Sequence, residues 1–173
     1  MQNSIIWPEN FTPGYTDNFC SNEVIIDNLD IHNVWLNLIT PSLWPTYYSN
    51  ASDVALKQCD SDMLNLNVSF YFKTFGFPIN AQVKEFEAPT ATTPGRIAWH
   101  GWYKGDEHKN IDVHHAWLIE KLPNNRTRIL TQETQLGEAA KELANFKPNP
   151  MINGHQDWLE GLVSYSKEHN FNS

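Results

Sequence analysis

The chain has 173 residues, 40% hydrophobic and 18% charged, which is the size and balance of one globular domain with a sizeable core. Twelve Lys and Arg stand against 20 Asp and Glu, a formal net charge of −8 with no cluster of bases, so the electrostatic footprint of a nucleic-acid partner is missing. No run approaches the roughly 20 apolar residues of a membrane span, and the first residues lack the basic start and apolar stretch of a secretory signal.

A cytoplasmic location is therefore expected, with Cys20 and Cys59 both reduced. The sequons at Asn10, Asn50, Asn67 and Asn125 are then chance occurrences in an Asn-rich chain. Seven tryptophans exceed what a core of this size needs, and large rings also line cavities for apolar or ring-bearing ligands.

Residues 1–16 form an arm that carries no readable pattern. "DNFCSNEVIID" (17–27) has the β-branched content of a strand. Ile31, Val34, Trp35, Leu38 and Ile39 recur at helical spacing, so a short amphipathic helix follows. "TPSLWP" predicts a second one, with Thr40 as N-cap, Pro41 at its first position and Pro45 closing it.

Six strand-like segments come next, over 52–58, 66–75, 79–87, 96–103, 112–122 and 126–134. No connection between them is long enough for a crossover helix, so all pair antiparallel. Residues 137–146 favour helix until Pro148 and Pro150 break it. After that, Met151, His155, Trp158, Leu159 and Leu162 share one stripe of a longer helix. A curved antiparallel sheet needs a cover, and only this last helix is long enough to lie across it.

That order, together with "NEVIIDNLDIHNVWLNLITPSLWPTYYSN", "EFEAPTATTPGRIAWHGW" and "RTRILTQETQ", resembles the SRPBCC superfamily, the START-like helix-grip fold of the birch-pollen allergen, lipid-transfer domains and polyketide cyclases. The resemblance covers about residues 17–168 and is nearest to the bacterial polyketide cyclase/dehydrase and lipid-transport branch. It implies an α+β fold: a curved seven-stranded antiparallel sheet wrapped around a long C-terminal helix, with two short helices after the first strand. It further implies a single START-like domain over 1–173, with 17–168 as its core. The chain departs from the family pattern in its N-terminal arm and in "APTATTPGR", a longer segment before the fifth strand whose residues 88–95 could hang over a cavity rim.

Comparison with family members puts His115, Trp117 and Ile119, and Ile129, Thr131 and Glu133, on the concave face. Counting back from the turn Pro123–Asn125 pairs Ile119 with Ile129, Trp117 with Thr131 and His115 with Glu133. His114 then faces solvent. A carboxylate opposite His115 would orient and charge it, giving an acid/base pair; the plainer alternative is an ion pair near the sheet edge that satisfies two polar groups. His155, on the covering helix, is either a third polar point or a core histidine with one hydrogen bond, and Gly154 beside it allows close approach of backbone or ligand.

The candidate catalytic residues are thus His115, Glu133 and His155, and the expected ligand pocket is lined by Trp99, His115, Trp117, Thr131, Glu133, Met151, His155 and Trp158. No metal site and no cofactor are expected. Adjacent His114 and His115 point to opposite faces, and there is no H-x-H, C-x-x-C, P-loop or dinucleotide glycine pattern. Nucleophilic catalysis finds no motif, since neither cysteine has a histidine near it in sequence and no G-x-S-x-G occurs. Three functions remain: a binding protein for a hydrophobic or aromatic small molecule, a cyclase/dehydrase-like enzyme, and an interaction module of the chaperone-regulator type. A mainly apolar cavity favours the first, convergent polar groups the second, and a filled core the third.

Overall fold

The computed structural model describes residues 2–57, 60–106 and 108–169; Cys59 lies outside them. Strand β1 (Asn18–Asp27) leads into helix α1 (Ile31–Ile39), whose predicted stripe is buried. The Asp30 carboxylate accepts from His32 N at 2.8 Å and caps it. A 3-10 turn (Pro41–Leu43) then runs straight into α2 (Trp44–Tyr47). Two details differ from the sequence reading. Thr40 turns its hydroxyl back to the Leu36 carbonyl at 2.7 Å instead of capping forward, and Pro45 sits inside the first turn of α2 instead of ending it. Proline is tolerated there because first-turn N–H groups have no helical partner.

Six further strands follow: β2 (Ser52–Lys57), β3 (Ser69–Thr74), β4 (Phe77–Glu87), β5 (Gly95–Tyr103), β6 (Ile111–Leu122) and β7 (Arg126–Leu136). They form one curved antiparallel sheet in the order β1-β7-β6-β5-β4-β3-β2, so the first strand closes against the last. The β6–β7 register is the one expected from the turn: Ile119 opposite Ile129, Trp117 opposite Thr131, His115 opposite Glu133. Two helices end the chain, α3 (Glu138–Asn145) and the 19-residue α4 (Pro150–Glu168). Pro150 begins α4 instead of preceding it, and the Asn149 side chain accepts from Met151 N at 3.0 Å.

The sheet wraps α4, and the space between them is filled mostly by rings. Trp44, Trp99, Trp117 and Trp158 are all fully buried. Trp44 stacks on Trp99 at 5.7 Å and meets Trp158 edge-on at 5.0 Å, and Tyr48 stacks on Trp158 at 4.6 Å. Gly161 lets α4 come this close to α2, because a Cβ there would lie 1.9 Å from the Tyr47 carbonyl oxygen.

The arm has a clear structural place. It crosses the convex face of the sheet, where Ile5 and Trp7 pack on Ala98, Ala116, Leu118 and Leu130. Trp7 and Phe11 lie over His114, with ring centroids at 5.6 and 5.8 Å. His114 is therefore 3% exposed, where the sequence reading placed it in solvent. Alternation along the strand correctly turned it away from the pocket; what alternation cannot supply is a second layer on the outer face. No helix among the described residues is long and apolar enough to cross a membrane.

Candidate functional site

Between β3–β7 and α4 lies a pocket with about 30 Å³ of free space, room for on the order of one or two water molecules. Its walls are apolar and largely aromatic, including Phe72, Phe75, Phe77, Trp99, Met151 and Trp158. The half-buried liners Phe75, Phe77 and Leu143 mark its outer end. Its polar points are Thr74, His115, Glu133, Gln135 and His155.

Three of these converge. His115 from β6 and Glu133 from β7 are register partners, and Nδ1 of His115 lies 3.0 Å from Oε2 of Glu133. His155 descends from α4, its Nε2 3.6 Å from the same oxygen. The two imidazoles lie 18° from parallel with centroids 4.5 Å apart. Trp99 and Trp158 flank His115 at 4.8 and 5.4 Å.

Each member is held from behind. Nε2 of His115 meets Thr131 Oγ1 at 2.8 Å. Nδ1 of His155 meets Cys20 Sγ at 3.2 Å. The other Glu133 oxygen accepts from Gln135 Nε2, whose amide oxygen accepts from Asn18 Nδ2 at 2.7 Å. The Asn18 oxygen accepts from Asn149 Nδ2 at 2.6 Å. Since Asn149 also caps α4, this relay ties the start of the helix to Glu133 and sets where His155 descends.

Burial dominates the electrostatics. It pushes His115 down to about 3 and His155 down to about 3, in the second case with help from the neighbouring His115 and against the Glu133 charge. It raises the Glu133 carboxyl, against His155 and the Gln135 hydrogen bond. The Cys20 thiol also rises, first through burial and then through Glu133. Every group is driven toward its neutral form, so burial favours keeping a proton on the carboxyl over charging either imidazole.

Of the residues expected in the pocket, Trp99, His115, Glu133, Met151, His155 and Trp158 line it. Trp117 and Thr131 do not: Trp117 packs edge-on against Trp158 at 5.2 Å, and Thr131 stands behind His115. Segment 88–95 is away from this pocket. Pro89 and Trp35 both crowd Gly95, while Thr90–Pro94 border a separate surface groove with Gln2, Asn3 and Lys121. The close approach at Gly154 is made by a side chain of the protein itself, since a Cβ there would lie 2.2 Å from the Phe75 ring.

Sequence reasoning missed Cys20, Phe75, Gln135, Asn18 and Asn149. Gln135 was within reach, because it shares a strand face with Glu133 two residues away. The contact between Cys20 and His155 spans 135 positions and has no local sign.

A solved structure of hypothetical protein jhp0584 from Helicobacter pylori is 47% identical to this chain, covers 96% of it and 98% of its own length, and superposes with a TM-score of 0.92. Truncated norcoclaurine synthase from Thalictrum flavum shares the fold at 10% identity and a TM-score of 0.58, covering 88% of this chain and 95% of that one. The two-domain aromatase/cyclase StfQ of the steffimycin pathway does so at 10% identity and 0.58, over 88% of this chain and 52% of its own. The chain belongs to one family with the Helicobacter protein and has the helix-grip fold of the other two. No protein-family model and no curated protein matches it. Within the helix-grip fold, the pocket between sheet and last helix is where β6, β7 and α4 bring His115, Glu133 and His155 together.

Proposed function

We propose that this helix-grip protein binds a small, largely apolar or aromatic molecule between its sheet and α4, anchored at the His115–Glu133–His155 group. The observation that supports this best is the combination of aromatic walls with three buried, convergent polar groups, the usual makeup of a small-molecule site. The free volume argues against a lipid-sized cargo held without rearrangement. A ring-sized ligand needs Phe75 to swing out, and Phe75 is the liner placed to do so, half-buried in the β3–β4 turn at φ +50°.

A second reading, acid/base catalysis of the cyclase/dehydrase kind, draws on the 3.0 Å contact between His115 and Glu133. There the carboxyl or imidazole would give and take a proton on an enolisable ligand seated beneath Phe75.

Native mass spectrometry of the protein purified from its own host tests the binding reading. One organic molecule per chain, displaced in a Trp99→Ala variant, is the expected result. A chain that carries nothing, and whose pocket resonances do not move with any of a panel of small aromatic acids and phenols, would defeat it. Turnover of the identified ligand by the wild type but not by Glu133→Gln would establish the catalytic reading.

A further inference from the structure

We infer that His115, Glu133 and His155 form a binding site for one divalent transition-metal ion at the floor of the pocket. The three side chains offer two imidazole nitrogens and a carboxylate oxygen, all within 4.8 Å of one another, and all three residues are buried. Ligand atoms on a tetrahedral ion bonded at 2.0–2.1 Å stand about 3.3 Å apart. The Glu133 oxygen lies 3.0 Å from His115 Nδ1 and 3.6 Å from His155 Nε2, one on each side of that value. The second distance is too long for a hydrogen bond, so the His155 imidazole faces the carboxylate without being joined to it.

The outer contacts point the same way. A metal-binding imidazole is normally held through its other nitrogen, and a metal-binding carboxylate through its other oxygen. Here Thr131 Oγ1 takes Nε2 of His115, Cys20 Sγ takes Nδ1 of His155, and Gln135 takes the second oxygen of Glu133. That leaves one ligand atom per residue on the inner side of the group, and the three lie within 4.8 Å of one another.

The three ligands are not paired along the chain, which is why no metal motif is visible in the sequence: they come from β6, β7 and α4. Two nitrogens and one carboxylate oxygen suit zinc and its first-row neighbours better than calcium or magnesium. Three protein ligands leave a fourth position for water or for an oxygen of a pocket ligand. An ion there would polarise that oxygen. The access route is the pocket mouth at Phe75, Phe77 and Leu143.

The inference shares its pocket with the proposed function but is tested with no organic ligand present. Chelator-treated protein is titrated with zinc by calorimetry and with cobalt(II) by visible absorption. The expected result is one ion per chain, a four-coordinate cobalt spectrum, and a rise in the thermal midpoint with zinc concentration. Glu133→Gln, which keeps the side chain's volume, should abolish the cobalt spectrum. Thr131→Val, which only removes the support behind His115, should weaken zinc binding roughly 10- to 100-fold. Wild-type protein that takes up no stoichiometric ion overturns the inference, and so does a Glu133→Gln variant that binds as tightly as wild type. Zinc binding by a chain that holds no organic molecule would sink the proposed function and leave the metal site standing; the converse would do the opposite.

Discussion

His114 and His115 are neighbours on one strand, both almost fully buried, and they show how differently the two faces of the sheet treat the same side chain. On the concave face His115 has a polar partner at each nitrogen, Glu133 at 3.0 Å and Thr131 at 2.8 Å. On the convex face His114 lies beneath Trp7 and Phe11, and its Nε2 meets no hydrogen-bond partner among the described residues. Burial alone therefore says nothing of function. What distinguishes His115 is that its neighbours are themselves held in place.

Acid is the strongest lever on the comparison. In metal-free protein an unfolded histidine takes up a proton below about 6.5. Folded His114 resists until about 4, and His115 and His155 until about 3. The unfolded chain thus binds more protons across that interval, and stability falls as pH drops, by roughly 1 kcal/mol per pH unit per group. Glu133 works in the opposite sense. Its raised carboxyl favours the folded state below about 4.5, and that contribution fades as pH rises through its folded value. Urea melts at stepped pH in the presence of chelator measure the sum. His114→Gln should remove one histidine's share above about 4 and leave zinc binding intact; His115→Gln should remove a share reaching lower and abolish zinc binding. Identical behaviour of the two variants would erase the distinction between the faces.

The convex face has its own charged group. Arg128 donates to Glu23 and to Glu120, at 2.6 and 2.7 Å, and to the Asn3 carbonyl of the arm at 2.8 Å. Glu120 also accepts from Asn3 Nδ2 at 2.6 Å. Arg128→Met would strand the Glu120 carboxylate beneath the arm and should cost about 3 kcal/mol. Thermal unfolding should record that loss while the titration of His115 stays where it was. Trp7→Ala comes next, at about 2 kcal/mol from lost ring burial. It should let the His114 pKa rise toward its ordinary value, read by NMR, with no change at His155.

Much of this was legible in the chain, for physical reasons. Strand alternation and the three-residue turn fixed which residue faces which, so the pairing of His115 with Glu133 followed from counting. Helical spacing put His155 on the covering face, and the superfamily resemblance joined sheet and helix. Solvent exposure of His114 failed because periodicity assigns a face and not what lies upon it. Trp7, Phe11 and Ile5 sit in a segment with neither helical nor strand period. The backing groups failed for a related reason: Cys20, Asn18 and Asn149 reach the site only through β1 closing against β7 and α4 starting above it.

Phe75 gives the smallest and most pointed effect, because two terms oppose. A bulky side chain at φ +50° carries backbone strain of order 1–3 kcal/mol, and glycine removes it. Phe-to-small changes in a core cost about 3–5 kcal/mol, but this ring is only half-buried, so less than that is at stake. Phe75→Gly should therefore shift stability by no more than about 1 kcal/mol in either direction. Its larger consequence is on the concave face alone: the ring that covers His155 at 5.9 Å is gone, and uptake of ring-sized molecules should become faster and tighter. Stopped-flow binding of a fluorescent aromatic probe measures this. Unchanged uptake in Phe75→Gly would mean that the ring does not control access and that the pocket opens elsewhere.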